Sequence, residues 1–229
     1  MYKMLKSSKK FKAKPNLVSL IIIIVAFPIV LNSFTRTPET VGDTLDPARV
    51  VKICSEMFDS NSIENEKSEN CDDRTHRSEH PTFGVSLIGH MIGGSMMMLS
   101  AIINFNSNLL KLKRRLHRFS GYNFILGGII AGSSAIIMTL FSPERFSSFN
   151  AFTNLLWGSL LLLYPLLAFR AIRKKDTQSH RSWMVRAYAV AAGPAAHRLF
   201  FFLTPIIGDF GVSVMLVFLG EAVIRKVRL

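Results

Sequence analysis

Long apolar runs recur along this chain with short polar breaks between them, and their length predicts helices that cross a lipid bilayer. The runs are NLVSLIIIIVAFPIVLNSF, FGVSLIGHMIGGSMMMLSAIINF, YNFILGGIIAGSSAIIMTLF, AFTNLLWGSLLLLYPLLAF, the stretch from Ser179 to Phe202, and FGVSVMLVFLGEAVI. A helix of roughly 20 residues spans the hydrocarbon core. The 19 residues from Asn16 to Phe34 meet that need, with a kink expected at Pro28. The expected fold is all-α, a polytopic bundle of six transmembrane helices. Its expected parts are a basic leader and first anchor over 1–34 and an acidic segment over 35–82, then a four-helix core over 83–205 and a sixth helix with a basic tail over 206–229.

A mean hydropathy of +0.29 and 49% apolar residues agree with a membrane class. The formal charge of +13 and pI near 10.1 would suit nucleic acid in a soluble protein, but the distribution of charge argues against that partner. Eleven of the 15 acidic residues fall between Thr35 and Thr82. The positive charge instead flanks the apolar runs: six lysines before the first, five Lys or Arg from Asn106 to Ser120, then Arg170, Arg173, Lys174 and Lys175, and finally Arg225, Lys226 and Arg228. Under the positive-inside rule these segments face an anionic cytoplasmic leaflet. Both termini are then cytoplasmic, the acidic segment is outside, and the chain is a multi-pass protein of the inner membrane. Its expected partners are membrane lipids and either another membrane protein or a second copy of itself. A basic leader before an apolar run also fits a signal peptide, but no small-residue cleavage site follows Phe34, so an uncleaved anchor is expected.

Within the acidic segment, Asp46 before Pro47 reads as an N-cap and first helical position. Val50, Val51, Cys54, Met57 and Phe58 then share one face of a short amphipathic helix. From Asp59 to His80 there is little to bury, and a mobile loop is expected. Cys54 and Cys71 are the only cysteines, with 16 residues between them. In an oxidising compartment a disulfide is the simplest reading; a Cys2His2 zinc site with His76 and His80, or two free thiols, are the alternatives.

Ionisable residues inside the runs are the functional candidates, because a charge at the bilayer centre costs about 3 kcal/mol and calls for a partner. His90 lies in the second run, with Gly94, Met97 and Ala101 following as a row that admits another helix. It reads either as a packed histidine bonded to a carbonyl or as a ligand or proton-transfer group. The third run, rich in Gly, Ala and Ser, is expected at the centre, and the leucine-rich fourth toward lipid. The fifth carries His180, Arg181, Arg186, His197 and Arg198, with a bend expected at Pro194. Arg186 is expected to snorkel toward the interface beside Trp183. Glu221 is expected to pair with Arg225 at i+4, with Arg186 across the bundle as the other choice.

On this topology the histidines form two levels, His90 with His197 toward the outer side and His117 with His180 at the cytoplasmic boundary. Paired imidazoles on facing helices are how membrane bundles hold haem iron. The candidate cofactor-binding set is therefore His90, His117, His180, His197, Arg118, Arg181, Arg186 and Arg198, with His90, His117 and His180 as candidate metal ligands and haem b as the most concrete occupant. No catalytic set emerges. His117-Arg118 and His180-Arg181 present the same dipeptide twice at one membrane face, as a shared anion pocket through arginine contacts or as separate headgroup anchors.

The strings PTFGVSLIGHMIGG, LHRFSGYNFILG and SHRSWMVRAYAVAAGPAAHR resemble the successive motifs, HRxxGY and HRxWMxRxYA among them, of a family of uncharacterised bacterial predicted membrane proteins classed as a domain of unknown function. The resemblance covers Pro81 to Thr204. It places His90, His117, Arg118, Gly121, His180, Arg181, Trp183, Met184, Arg186 and Arg198 at motif positions. His197 departs from the pattern, which has an apolar residue before the arginine. The resemblance implies a membrane bundle and carries no activity. The functional expectation is an integral membrane protein with a buried His/Arg site, concretely b-type haem and electron transfer; the alternative is a non-catalytic assembly or partner-binding protein.

Overall fold

The computed structural model describes residues 17–59, 64–105, 114–199, 214–215, 217–222 and 224–225. The described residues form helices and no strand: α1 Leu17–Leu45, α2 Pro47–Asp59, α3 Glu64–Glu79, α4 Pro81–Asn104, α5 Arg114–Phe141, α6 Ser148–Arg173 and α7 Thr177–Leu199, with a 3-10 turn at Pro143–Arg145. Helical residues recur between 214 and 225. By length and composition α4, α5 and α6 are each able to cross a membrane. The calls on the leader, on residues 200–213 and on the tail beyond Arg225 lie outside the described residues.

Small residues put α5 at the centre, where it packs against α4 on one side and α6 on the other. Gly93 of α4 meets the backbone of Gly127 and Ala131 of α5, and Gly132 of α5 meets the backbone of Gly158 of α6. Met97, Met98, Ala101, Phe124, Ala131, Leu161, Ala168, Met184, Ala187 and Val190 close the core around those contacts. The close approach beside His90 is made by Gly93, not by Gly94, which has open space beyond its Cα among the described residues. The two differ by about 100° around the helix, and Gly93 is the one in line with Met97 and Ser100. In α6 the leucine-rich surface is two-sided: Leu163 and Leu166 are exposed, while Gly158, Leu161, Pro165 and Ala168 are buried.

Helices α6 and α7 are joined by a tight reversal. Lys175 takes the left-handed conformation with φ 62°, and the Asp176 N–H donates to the Ala171 carbonyl at 3.0 Å, which ends α6 as a Schellman motif does. Asp176 then caps α7 by accepting from the Ser179 N–H at 2.9 Å. Hydrogen bonding from Ser179 holds its carboxyl below the usual range. This reversal sets His180 against the last turns of α6.

Three expectations for the acidic segment change. Helix α1 does not stop at Phe34, because Thr37, Thr40 and Thr44 satisfy their hydroxyls on carbonyls one turn back and keep the polar extension helical. Val51 is exposed while Val50 is buried, so the inward face of α2 is narrower than the spacing suggested. The expected mobile loop is helix α3 over most of its length. Charge pairs and a cross-link hold α3 in place of apolar burial. Asp43, fully buried, accepts from Arg74 at 2.7 Å and from Arg77 at 2.9 Å, and Cys54 is bonded to Cys71 with their Cα atoms 5.6 Å apart. The disulfide removes the thiolates that a Cys2His2 zinc site needs.

Candidate functional site

Where α4 and α6 end and α5 and α7 begin, the bundle gathers its polar and aromatic side chains. The His180 Nδ1 lies 2.9 Å from the Ala168 carbonyl of α6, so a ring N–H there donates to it and leaves Nε2 for another partner. His117 of α5 sits within electrostatic range of His180, and its buried Nδ1 has no hydrogen-bond partner among the described residues. Arg118 and Arg181, their neighbours in sequence, are exposed. The structure thus sets the two imidazoles within electrostatic range of each other and leaves the two guanidiniums at the surface.

Deeper along α7, about 14 Å from its first residue at 1.5 Å per residue, Arg186 pairs with Glu221. The contact is bidentate: Nε donates to Oε1, and Nη2 to Oε2 at 3.0 Å. The Arg186 guanidinium carbon lies 4.7 Å from the centre of the Trp183 ring, and Trp183 stands 5.5 Å from Tyr164. The i+4 partner Arg225 therefore loses Glu221 to Arg186, and Arg186 does not snorkel outward as an unpaired charge. Both carboxylate oxygens of Glu221 accept from the one Arg186 guanidinium, and this two-bond fork fixes the pairing. The Tyr188 ring lies tilted with its centre 5.3 Å from that of Phe105, and its buried hydroxyl has no hydrogen-bond partner among the described residues.

His90 is separate from this group. Its Nδ1 lies 3.0 Å from the Ala131 carbonyl, and Ala131 is fourteen residues beyond His117 on α5, about 21 Å along the axis. This is the carbonyl-bonded geometry of a packed histidine. The side chains of His197 and Arg198 lie outside the described residues, so the outer level is described by His90 alone.

At the opposite end of the bundle a second polar cluster appears that the order of residues did not reveal. Arg145, in the turn between α5 and α6, bonds Asp72 at 2.7 Å and Asp73 at 3.0 Å, while Asp73 also pairs with Arg77. His76 lies beneath this network, nine-tenths buried, with its ring 4.9 Å from Phe83. Burial first, and the charge of Arg145 second, lower its pKa, so near neutral pH it is an uncharged imidazole. No local pattern marks these partners, since Arg145 lies 72 and 73 residues from its two carboxylates.

A family model described as "Predicted membrane protein (DUF2306)" matches residues 87–227, reaching beyond Thr204 to take in the last apolar run. No curated protein and no solved structure matches the chain.

Proposed function

Because the chain belongs to this family of predicted membrane proteins, whose model covers more than half of it, we propose that it is a six-span inner-membrane protein that holds a cofactor between α5 and α7. Both termini are placed in the cytoplasm by the basic segments, which rest on anionic headgroups, and the acidic segment is placed outside. The occupant is b-type haem, which when bound supplies one-electron transfer. The observation that supports this is the pair His117 and His180: two imidazoles on different helices within electrostatic range, one oriented by a carbonyl and the other with a buried ring nitrogen that has no partner among the described residues. Orientation of Nδ1 by a backbone carbonyl is how proteins fix a ligating imidazole. Purified from haem-replete cells, the chain is expected to show a Soret band with the spectrum of bis-imidazole haem, lost in His117→Ala and in His180→Ala. No Soret band, or one retained in both variants, sinks the haem reading.

A second reading is favoured by the Arg186–Glu221 pair. A guanidinium already held by two carboxylate bonds is not available to an anion, so the polar interior would serve to lock a non-catalytic assembly or partner-binding protein. A colourless protein of undiminished stability is the outcome that selects it.

The orientation has its own test. With Cys54 and Cys71 bonded, a membrane-impermeant maleimide is expected to label intact spheroplasts only after an impermeant reductant. Labelling that requires permeabilisation would place the acidic segment inside and overturn the topology.

A further inference from the structure

We infer that His76, His80 and Glu144 form a binding site for a divalent transition-metal ion of the zinc class, joining the end of α3 to the turn between α5 and α6. One ligand atom from each of the three side chains lies within 4.8 Å of the other two. The His76 Nε2, buried and without a hydrogen-bond partner among the described residues, is 3.7 Å from the Glu144 carboxylate. In a tetrahedral site with bonds near 2.1 Å, ligand atoms stand about 3.4 Å apart. His76 and Glu144 are therefore already close to liganding separation, and the remaining closure falls to exposed side chains that are free to rotate.

The backbone prepares this geometry. His76 and His80 are spaced i and i+4, the His80 N–H donates to the His76 carbonyl at 2.9 Å, and their rings stand 4.4 Å apart. Phe83 meets the His76 ring edge-on and fixes its plane. Glu144 is carried by the 3-10 turn, which the Arg145 bonds to Asp72 and Asp73 anchor over α3. Arg145 is the cation that opposes a metal here, and both of its guanidinium contacts are to carboxylates, which offset its charge.

The donor set selects the ion. Two imidazole nitrogens and one carboxylate suit zinc and its neighbours, whereas Mg2+ and Ca2+ require oxygen ligands. Three protein ligands leave one position for water or a small anion. The site is independent of the His117 and His180 pair, at the other end of the bundle, so neither reading depends on the other.

The test is titration of Zn2+ into the full-length chain, purified in detergent with its disulfide intact and stripped by a chelator, followed by calorimetry. One equivalent is expected to bind, unaffected by excess Mg2+. Since His80 and Glu144 are exposed, His80→Ala and Glu144→Gln are expected to fold normally, with unchanged unfolding temperature in chelator. Loss of a ligand weakens binding by about tenfold or more, the least that even outer partners of a metal contribute. Absence of a stoichiometric equivalent overturns the site. So does binding of undiminished affinity in both variants, which would assign the ion to another histidine or to adventitious contacts.

Discussion

Glu221→Leu is expected to destabilise the bundle strongly, and adding Arg186→Met to the same chain to restore much of the loss. Arg186 lies within α7 with its guanidinium over Trp183 and both faces of its fork on one carboxylate. Removing Glu221 leaves a cation that is never neutral, in a place where water is scarce. An uncompensated member of a fully buried pair costs roughly 3–5 kcal/mol. With 24% and 31% of the two side chains still open, about 2 kcal/mol is expected for Glu221→Leu. Removing both charges deletes the desolvation cost together with the attraction, so the double variant should lie closer to the parent than either single one. Thermal unfolding in detergent reads this directly. Additive losses in the double variant would mean that the two residues do not act as a pair.

Glu221 also shows where reading along the chain stops. The local rule offered Arg225 one turn away, and the distant Arg186 was the second choice; the tertiary fold reversed that order because the distant guanidinium is aligned for two bonds. His90 was legible as a histidine inside an apolar run. Its acceptor, the Ala131 carbonyl 41 residues away, carries no side-chain signature at all. Helix α3 was unreadable for a different reason. Hydrophobic periodicity is the main helix signal, and α3 is held by Asp43, by the Cys54–Cys71 bond and by Arg145, none of which writes a hydrophobic period along α3. By contrast, the helical character of the chain and the central place of α5 followed from run length and small-residue content, both local properties. The six-span count rests on the six apolar runs, and the orientation on the positive-inside rule.

Gly132→Ala is expected to loosen α5 from α6, and Gly93→Ala to loosen α4 from α5, although each adds a single methyl group. A Cβ on Gly132 would stand 2.7 Å from the Gly158 carbonyl oxygen, and one on Gly93 would stand 2.6 Å from the Ala131 nitrogen and 2.7 Å from the Gly127 oxygen. Those are backbone atoms, so no rotamer change relieves the overlap and the helices themselves must separate. Overpacking of this kind costs about 1–3 kcal/mol, more than the gain of up to about 1 kcal/mol that replacing a helical glycine by alanine otherwise brings. Gly94→Ala supplies the control, since none of the described residues stands within 4 Å of its would-be Cβ. There the helix-propensity gain is unopposed, and the variant should be neutral or slightly more stable. Thermal unfolding of the three single variants in one detergent decides between packing and propensity. If Gly94→Ala and Gly132→Ala shift the midpoint alike, the close approach of the glycine backbones does not hold α5 at the centre of this bundle.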